Sequence, residues 1–216
     1  MAGAVTDLKV HPRRADKIRV YLDGRHALTV SRLLASRLRV GQALSDEELE
    51  GLAAAEAEEQ AYQRALRFLG RRPHSEAELR EKLAKRQTPV DAVERVIARL
   101  KDHALIDDVT FAKAWVENRE TYRPRAAKAL RAELRRKGVA TQAIQAALED
   151  FDEASAAAKA AAKAWRKYQS LPEPVARRRL MDYLSRRGFG YGLCRTIVEK
   201  ALRGTLAPPD ESEVIQ

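Results

Sequence analysis

The chain has 216 residues, of which 45% are hydrophobic and 33% charged, and it carries a formal net charge of +10 with a pI near 9.9. This size and apolar content are those of one or two globular domains. A single cysteine excludes an internal disulfide and fits a reducing compartment, and no stretch approaches the ~20 apolar residues of a membrane span. The N-terminus lacks the apolar run of a signal peptide. We therefore expect a cytoplasmic protein, and a polyanion is the first partner to consider.

The positive charge is concentrated outside the N-terminal quarter of the chain. Residues 1–60 hold 9 Lys/Arg and 10 Asp/Glu, residues 61–150 hold 20 and 13, and residues 151–216 hold 12 and 8. Composition alone does not separate a polyanion-binding protein from a helical protein with an arginine-rich solvated surface. The position of the basic residues along the chain has to decide between these interpretations.

The first 44 residues predict a small β-rich head. Three runs alternate apolar and polar residues, and an Asp23-Gly24 pair, a strong hairpin signal, separates the last two. We expect a three-stranded antiparallel sheet, followed by a short helix that Ser31 caps. Because this head is nearly neutral, we interpret it as a structural or docking element. The three runs are residues 5–10, 18–22 and 25–30.

A predicted helix joins the head to the rest of the chain. Ser45 and Glu48 have the spacing of a capping box, and an Ala/Glu-rich run follows through Tyr62 and Leu69. Gly51 leaves two alternatives open, one long helix or two helices with a bend. We place this segment with the first helical unit, residues 45–106.

The remaining chain repeats with a period of about 50 residues. Each copy has a middle helix with two leucines four residues apart, followed by Gln or Gly at the position where a helix ends in a left-handed residue. We expect three three-helix units, at 45–106, 107–151 and 152–204, in an elongated curved array, and a disordered tail at 205–216. The aligned residues are Leu79, Leu83 and Gln87, then Leu130, Leu134 and Gly138, then Leu180, Leu184 and Gly188.

Catalytic chemistry is not indicated. The four histidines are scattered without metal-ligand spacing, and Cys194 occupies an apolar position of the repeat. The Asp107-Asp108 pair is better explained as a helix cap than as a metal site, and the glycine-rich run from Gly188 follows a helix rather than a strand. We expect no enzyme activity, no metal and no cofactor. Predicted helix caps are Ser75, Thr88, Asp108 and Thr141.

Basic residues recur on the middle helices. Residues 119–137 hold eight Lys/Arg and two Glu, and arginines are enriched again about 50 residues later. A single such helix is usually a solvated face, but recurrence in successive repeats predicts a cationic stripe that could follow a phosphate backbone or meet an acidic protein surface. The predicted contact residues are Lys128, Arg131, Arg135, Arg136, Arg178, Arg179, Arg186 and Arg187.

Four ordered segments resemble the successive signatures of the RecX family of bacterial RecA modulators. They are ALRFLGRRPHSEAELREKL, LIDDVTFAKAWVENR, ALRAELRRKGV and YLSRRGFGYGLCRTIVEKAL, and the similarity runs from about residue 61 to residue 202. The head, with its VYLDGRHALTV hairpin, is similar to the extra N-terminal domain of long family members. Gln87 departs from the glycine common after the first middle helix, and the Ala-rich segment 156–164 is also unusual.

This resemblance implies a non-enzymatic regulator of DNA repair and recombination. Such proteins have three tandem three-helix repeats, lodge in the groove of a RecA–DNA filament, and inhibit ATP hydrolysis and strand exchange. The implied partners are the RecA filament and single- and double-stranded DNA, without a membrane, and we expect a monomer. The alternative is a stand-alone nucleic-acid-binding protein with no recombinase partner. A metal-dependent nuclease would need carboxylates that the sequence does not bring together.

Overall fold

The structure is a computed structural model and describes residues 3–206. The chain divides into two compact units. The first runs to Ile106, except for Ser75–Ala77, and the second comprises those three residues and the chain from Asp107 onward.

The N-terminal sheet has four antiparallel strands in the order β3-β2-β1-β4. The three predicted strands are confirmed. The fourth strand pairs only two residues with the start of β1, which is too short to produce a periodic pattern in the sequence. The strands are β1 (Gly3–His11), β2 (Arg14–Leu22), β3 (Arg25–Ser31) and β4 (Ala43–Leu44).

The turn between β2 and β3 explains why the hairpin prediction was correct. Asp23 and Gly24 both have positive φ, 47° and 80°, as a two-residue type I′ turn requires. The Asp23 carboxylate also accepts a hydrogen bond from the Ala4 backbone N–H at 3.1 Å, which ties the turn to β1. After β3, the Ser31 hydroxyl accepts from the Leu34 N–H and caps the predicted short helix.

The described residues also form ten helices, and the mainly α-helical prediction is confirmed. They group into three three-helix domains: the C-terminal part of α2 with α3 and α4, then α5 to α7, then α8 to α10. The helices are α1 (Arg32–Ala35), α2 (Asp46–Leu69), α3 (Glu76–Ala84), α4 (Val90–Asp102), α5 (Asp108–Tyr122), α6 (Ala127–Arg136), α7 (Thr141–Ala147), α8 (Glu153–Tyr168), α9 (Glu173–Arg186) and α10 (Tyr191–Leu202).

Helix α2 is one continuous helix of 24 residues, which settles the alternative left open by Gly51. Its predicted capping box is present, because the Ser45 hydroxyl accepts from the Glu48 N–H at 3.1 Å and the Glu48 carboxylate accepts from the Ser45 N–H at 2.7 Å. Its N-terminal part packs on the head through Leu49 and Leu52, and its C-terminal part enters the core of the first three-helix domain.

Each three-helix domain has its own apolar core. The paired leucines of the middle helices are fully buried, as the repeat alignment predicts. In the third domain alanines of α8 replace larger side chains, so α8 packs closely on its neighbours. The buried leucines are Leu79, Leu83, Leu130, Leu134, Leu180 and Leu184.

Three of the predicted caps are displaced. Asp107, not Asp108, caps α5, and the Asp108 carboxylate instead accepts from the Glu76 N–H at 2.9 Å within the second unit. Pro89 is the N-cap of α4, so Thr88 does not cap it, and Thr141 is already the first residue of α7. The N-caps of α4 and α7 are Pro89 and Ala140, which make no side-chain capping hydrogen bond, so these two helices begin without a polar cap. For Ser75 the hydroxyl donates to the Lys137 carbonyl at 2.6 Å.

The residues that end the middle helices are left-handed, as predicted. Gly138 and Gly188 have φ of 74° and 91°, and Gln87 has φ of 56° at the equivalent position. A residue with a Cβ is disfavoured there by about 1 kcal/mol.

We predict that Gln87→Gly raises the free energy of unfolding by about 0.5–1 kcal/mol, measured by urea denaturation with circular dichroism. A destabilising Gln87→Gly would contradict the presence of strain at this position. Gly138→Gln should lower the free energy of unfolding further than strain alone, since an added Cβ would collide with the Cβ of Ala77.

The tail prediction falls mostly on residues 207–216, which lie outside the described residues. Its first two residues do contact the third domain. The Thr205 N–H donates to the Lys200 carbonyl at 3.0 Å, and Leu206 packs against the core that contains Cys194.

Candidate binding surface

Helix α6 places buried and exposed residues on opposite faces. Leu130 and Leu134 point into the core of the second three-helix domain, and Ala, Leu and Arg residues favour the helix between them. The left-handed Gly138 follows its end, and the Val139 N–H returns to the Leu134 carbonyl at 3.1 Å. The backbone therefore fixes which charged side chains face outward.

Glu133 takes up part of the basic charge that the sequence places around α6. Its carboxylate accepts from Trp115 Nε1 and from Arg119 Nε, both at 2.9 Å, and lies 3.0 Å from Arg125 Nε. The Glu133 side chain is only 8% exposed. Trp115 and Arg119 of α5 therefore hold α5 against α6, and Arg125 ties the loop before α6 to the same carboxylate. The guanidinium of Arg119 also lies over the Trp115 ring. Sequence reasoning missed this cluster; a glutamate beside the buried Leu134 was its only signal.

The Glu133 cluster makes stability depend on pH. Burial raises the pKa of the Glu133 carboxyl, but hydrogen bonds from Arg119 and Trp115 and the charges of Arg119 and Arg125 outweigh it, so the pKa lies below its ordinary 4.5. Stability from a lowered carboxyl pKa is present above pH 4.5 and is lost as pH falls through the folded-state pKa.

We predict that Glu133→Gln lowers the free energy of unfolding by about 1–3 kcal/mol at pH 7, and that the difference from the wild-type value narrows below pH 4.5.

Urea titrations followed by tryptophan fluorescence would measure the free energy of unfolding of both proteins at each pH. The two tryptophans, Trp115 and Trp165, lie in the second unit with Glu133. Glu117→Gln is a matched control, since Glu117 is an exposed carboxylate on α5. A constant difference between wild type and Glu133→Gln from pH 7 to pH 3 would rule out this role for Glu133.

The predicted contact residues of α6 are all exposed. Lys128, Arg131 and Arg135 follow one another at i, i+3 and i+7, so they share a face, and Arg136 borders it. Among residues 3–206, no carboxylate lies within ion-pair distance of any of these four. We call these four residues the α6 basic face. Its charges are available to an external anion.

Helix α9 carries a weaker version of the same face. Arg178, Arg179 and Arg186 are exposed and have no carboxylate partner among the described residues. Arg187 differs, because it is half-buried, donates to the Pro124 carbonyl at 2.9 Å, and lies over the Tyr183 ring. Its cation therefore supports the packing of α9 as well as any external contact.

The basic pattern is not repeated in full on the three middle helices. On α9, Met181 and Ser185 stand where α6 has Arg131 and Arg135. Arg80 of α3 pairs with Glu94 at 2.9 Å, and Lys85, just after α3, pairs with Glu81 at 2.5 Å. Among the described residues, the exposed cations without a carboxylate partner on the middle helices are therefore those of α6 and α9, four on α6 and three on α9.

The end of α9 lies against the start of α6. The Ala126 N–H donates to the Arg187 carbonyl at 3.1 Å, and a Cβ on Gly188 would stand 3.2 Å from the Cβ of Ala129. This contact brings the last turn of α9, with Arg186, beside the first turn of α6, with Lys128. Arg186 and Lys128 therefore stand on neighbouring turns within the second unit, whereas Arg178 and Arg179 lie about two turns earlier on α9.

Other kinds of site are not found in the part of the chain that the structure describes. Residues 3–206 contain no group of three or more His, Cys, Asp or Glu side chains placed to hold a metal ion. None of their helices has the length and apolar character needed to cross a membrane. Cys194 is buried, and burial raises the pKa of its thiol, so the reactive thiolate is disfavoured.

Comparison with protein-family models matches each of the three helical domains in turn. The first, second and third three-helix domains of RecX match residues 61–100, 107–148 and 152–198. A solved structure titled "Crystal structure of regulatory protein RecX" superposes with a TM-score of 0.71 at 27% identity, covering 91% of this chain and 98% of that one.

Curated relatives agree with these matches. The regulatory protein RecX of Thermobifida fusca is 37% identical over 153 residues, which are 68% of this chain and 83% of the relative. That of Mycobacteroides abscessus is 40% identical over 151 residues, 67% of this chain and 73% of the relative. That of Limosilactobacillus reuteri is 28% identical over 195 residues, 88% of this chain and 74% of the relative. The three family domains and these relatives together establish that the chain belongs to the RecX family.

Proposed function

We propose that this chain is a non-enzymatic regulator that binds the RecA–DNA filament and inhibits its ATP hydrolysis and strand exchange. Membership of a family of regulatory proteins supports the general role. The observation that carries the contact is the α6 basic face, four exposed cations without a carboxylate partner among the described residues. A filament of recombinase on DNA offers many phosphates along its length, which such a face can meet.

The contact surface of this proposal is the α6 basic face together with the exposed arginines of α9. Lys128 and Arg186 stand on adjoining turns of α6 and α9, from which their long side chains can reach neighbouring phosphates or acidic side chains. Counterion release then makes the affinity fall with rising salt. The proposal needs no metal, no cofactor and no second copy of the chain, and it places the protein in the cytoplasm.

The experiment adds the chain to RecA filaments preformed on single-stranded DNA and follows ATP turnover. We expect turnover to fall as the chain is titrated in and to recover as salt is raised. Undiminished turnover at concentrations where the chain is bound to the filament would contradict the proposal.

A stand-alone nucleic-acid-binding role remains the second candidate, favoured by the net charge of +10. Binding to naked DNA, measured with and without RecA, separates the two functions. Tighter binding to the RecA filament than to the same DNA alone supports regulation. Equal binding to both supports the second candidate.

A further inference from the structure

The first unit contains an open groove lined by arginines from the head and from the first three-helix domain. One depression of about 580 Å³ lies between the head and α2 and is lined by Arg32, Arg64 and Arg67, among others. A second, of about 400 Å³, shares Arg64 and Arg67 and is also lined by Arg71 and Arg86. The shared arginines make the two depressions neighbours, and we call them together the head groove.

Most acidic charge near the head groove is already neutralised. Arg14 Nη2 lies 3.7 Å from Asp16 Oδ2, and Glu59 Oε2 lies 3.0 Å from Nη1 of Arg99 on α4. Lys17 is buried and pairs with Glu56. The cations that remain have no carboxylate partner among the described residues, and Arg64 contacts only the neutral Gln60. They are Arg32, Arg64, Arg67, Arg71 and Arg86.

The walls of the head groove are held in place by buried contacts. Glu56 of α2 accepts from the Ser31 N–H at 2.6 Å, at the junction of β3 and α1, and also receives Lys17 of β2. Gln60, on the next turn of α2, donates to the same carboxylate at 2.7 Å. Arg32 and Arg64 therefore project from elements that are joined to each other, so the backbone that carries them is fixed before any ligand binds.

The shape and charge select the class of ligand. Five guanidinium groups in two adjoining depressions exceed what one phosphate needs, so the ligand carries several phosphates in a row. The two depressions adjoin end to end through Arg64 and Arg67, so a single extended backbone could follow them. Single-strand-binding proteins use such cationic grooves to follow the backbone. We propose that the head groove binds the phosphate backbone of single-stranded nucleic acid.

This site is separate from the regulatory contact proposed for α6, and it is tested without recombinase. The probe is fluorescein-labelled (dT)30, with binding followed by anisotropy against salt. We expect Arg67→Glu/Arg71→Glu to weaken binding at least about tenfold and to lower the salt slope by about 1.4, the value for two lost phosphate contacts on a single strand. Both side chains are exposed and make no contact that holds the fold.

The matched control is Arg37→Glu/Arg39→Glu, which makes the same charge change on exposed head residues outside the groove. It should weaken binding less than threefold. Arg67→Gln/Arg71→Gln provides a milder variant if the reversal perturbs folding, and circular dichroism checks both. Groove variants that bind (dT)30 like the control variant overturn the proposal. Inorganic polyphosphate that binds as tightly as (dT)30 at equal phosphate concentration would also overturn it, because the groove would then be a general anion site.

Discussion

Arg131→Glu/Arg135→Glu should weaken binding to the RecA–DNA filament at least about tenfold, or about 1.4 kcal/mol. Both arginines are exposed at the centre of the α6 basic face and lack carboxylate partners among residues 3–206, so the fold does not depend on their charge. Reversal removes two attractive charges and adds two repulsive ones beside a polyanion, where juxtaposed like charges cost several kcal/mol. Filament binding, measured by anisotropy of labelled DNA coated with RecA, gives the change in affinity.

The control for this variant is Arg37→Glu/Arg39→Glu, with the same net charge change on exposed residues of the head. A loss confined to the α6 variant identifies a local contact. An equal loss in both variants would instead indicate long-range attraction by the net charge, and the α6 basic face would not be the contact.

Glu56→Ala should have the largest effect on stability, a loss of about 3–5 kcal/mol from the first unit. The Glu56 carboxylate is buried with Lys17, and the Ser31 N–H and Gln60 also donate to it. Removing it leaves a buried ammonium and a backbone donor without their acceptor, at the point where α2 meets the sheet. Hydrogen exchange of β2 and β3 would locate the loss in the head.

The double variant Lys17→Met/Glu56→Ala separates the buried charge from the packing. It should recover part of the stability, because no unpaired ammonium then remains in the interior. Glu50→Ala, an exposed glutamate on the same helix, should change the free energy of unfolding by less than about 0.5 kcal/mol. If Glu56→Ala and Glu50→Ala were equally stable, the buried pair would not support the head.

The repeat could be predicted from the sequence because packing dictated its spacing. Leucines such as Leu130 and Leu134 recur four residues apart and are fully buried, and Gly138 and Gly188 follow at the left-handed ends. The hairpin was predictable for the same reason, since Asp23-Gly24 needs a conformation that few pairs adopt. These features depend on residues close together in the chain.

The distribution of free charge could not be predicted, because it depends on partners that are distant in sequence. Arg80 looks like Arg131 in the repeat alignment, but Glu94 neutralises it. The head groove was missed for a related reason. Residues 1–60 are nearly neutral as a segment, whereas the groove joins Arg32 of the head to Arg64 and Arg67 of α2.

Site-specific photo-crosslinking shows directly whether the α6 basic face touches the filament. Ala132 is exposed between the four cations and contributes no charge, so a benzoylphenylalanine there keeps the face intact. We expect light-dependent crosslinks from position 132 to RecA or DNA in assembled filaments, and far fewer from the exposed Val40 of the head, which lies outside the head groove. Filament-bound chain that crosslinks from position 40 but not from position 132 would contradict a contact through the α6 basic face.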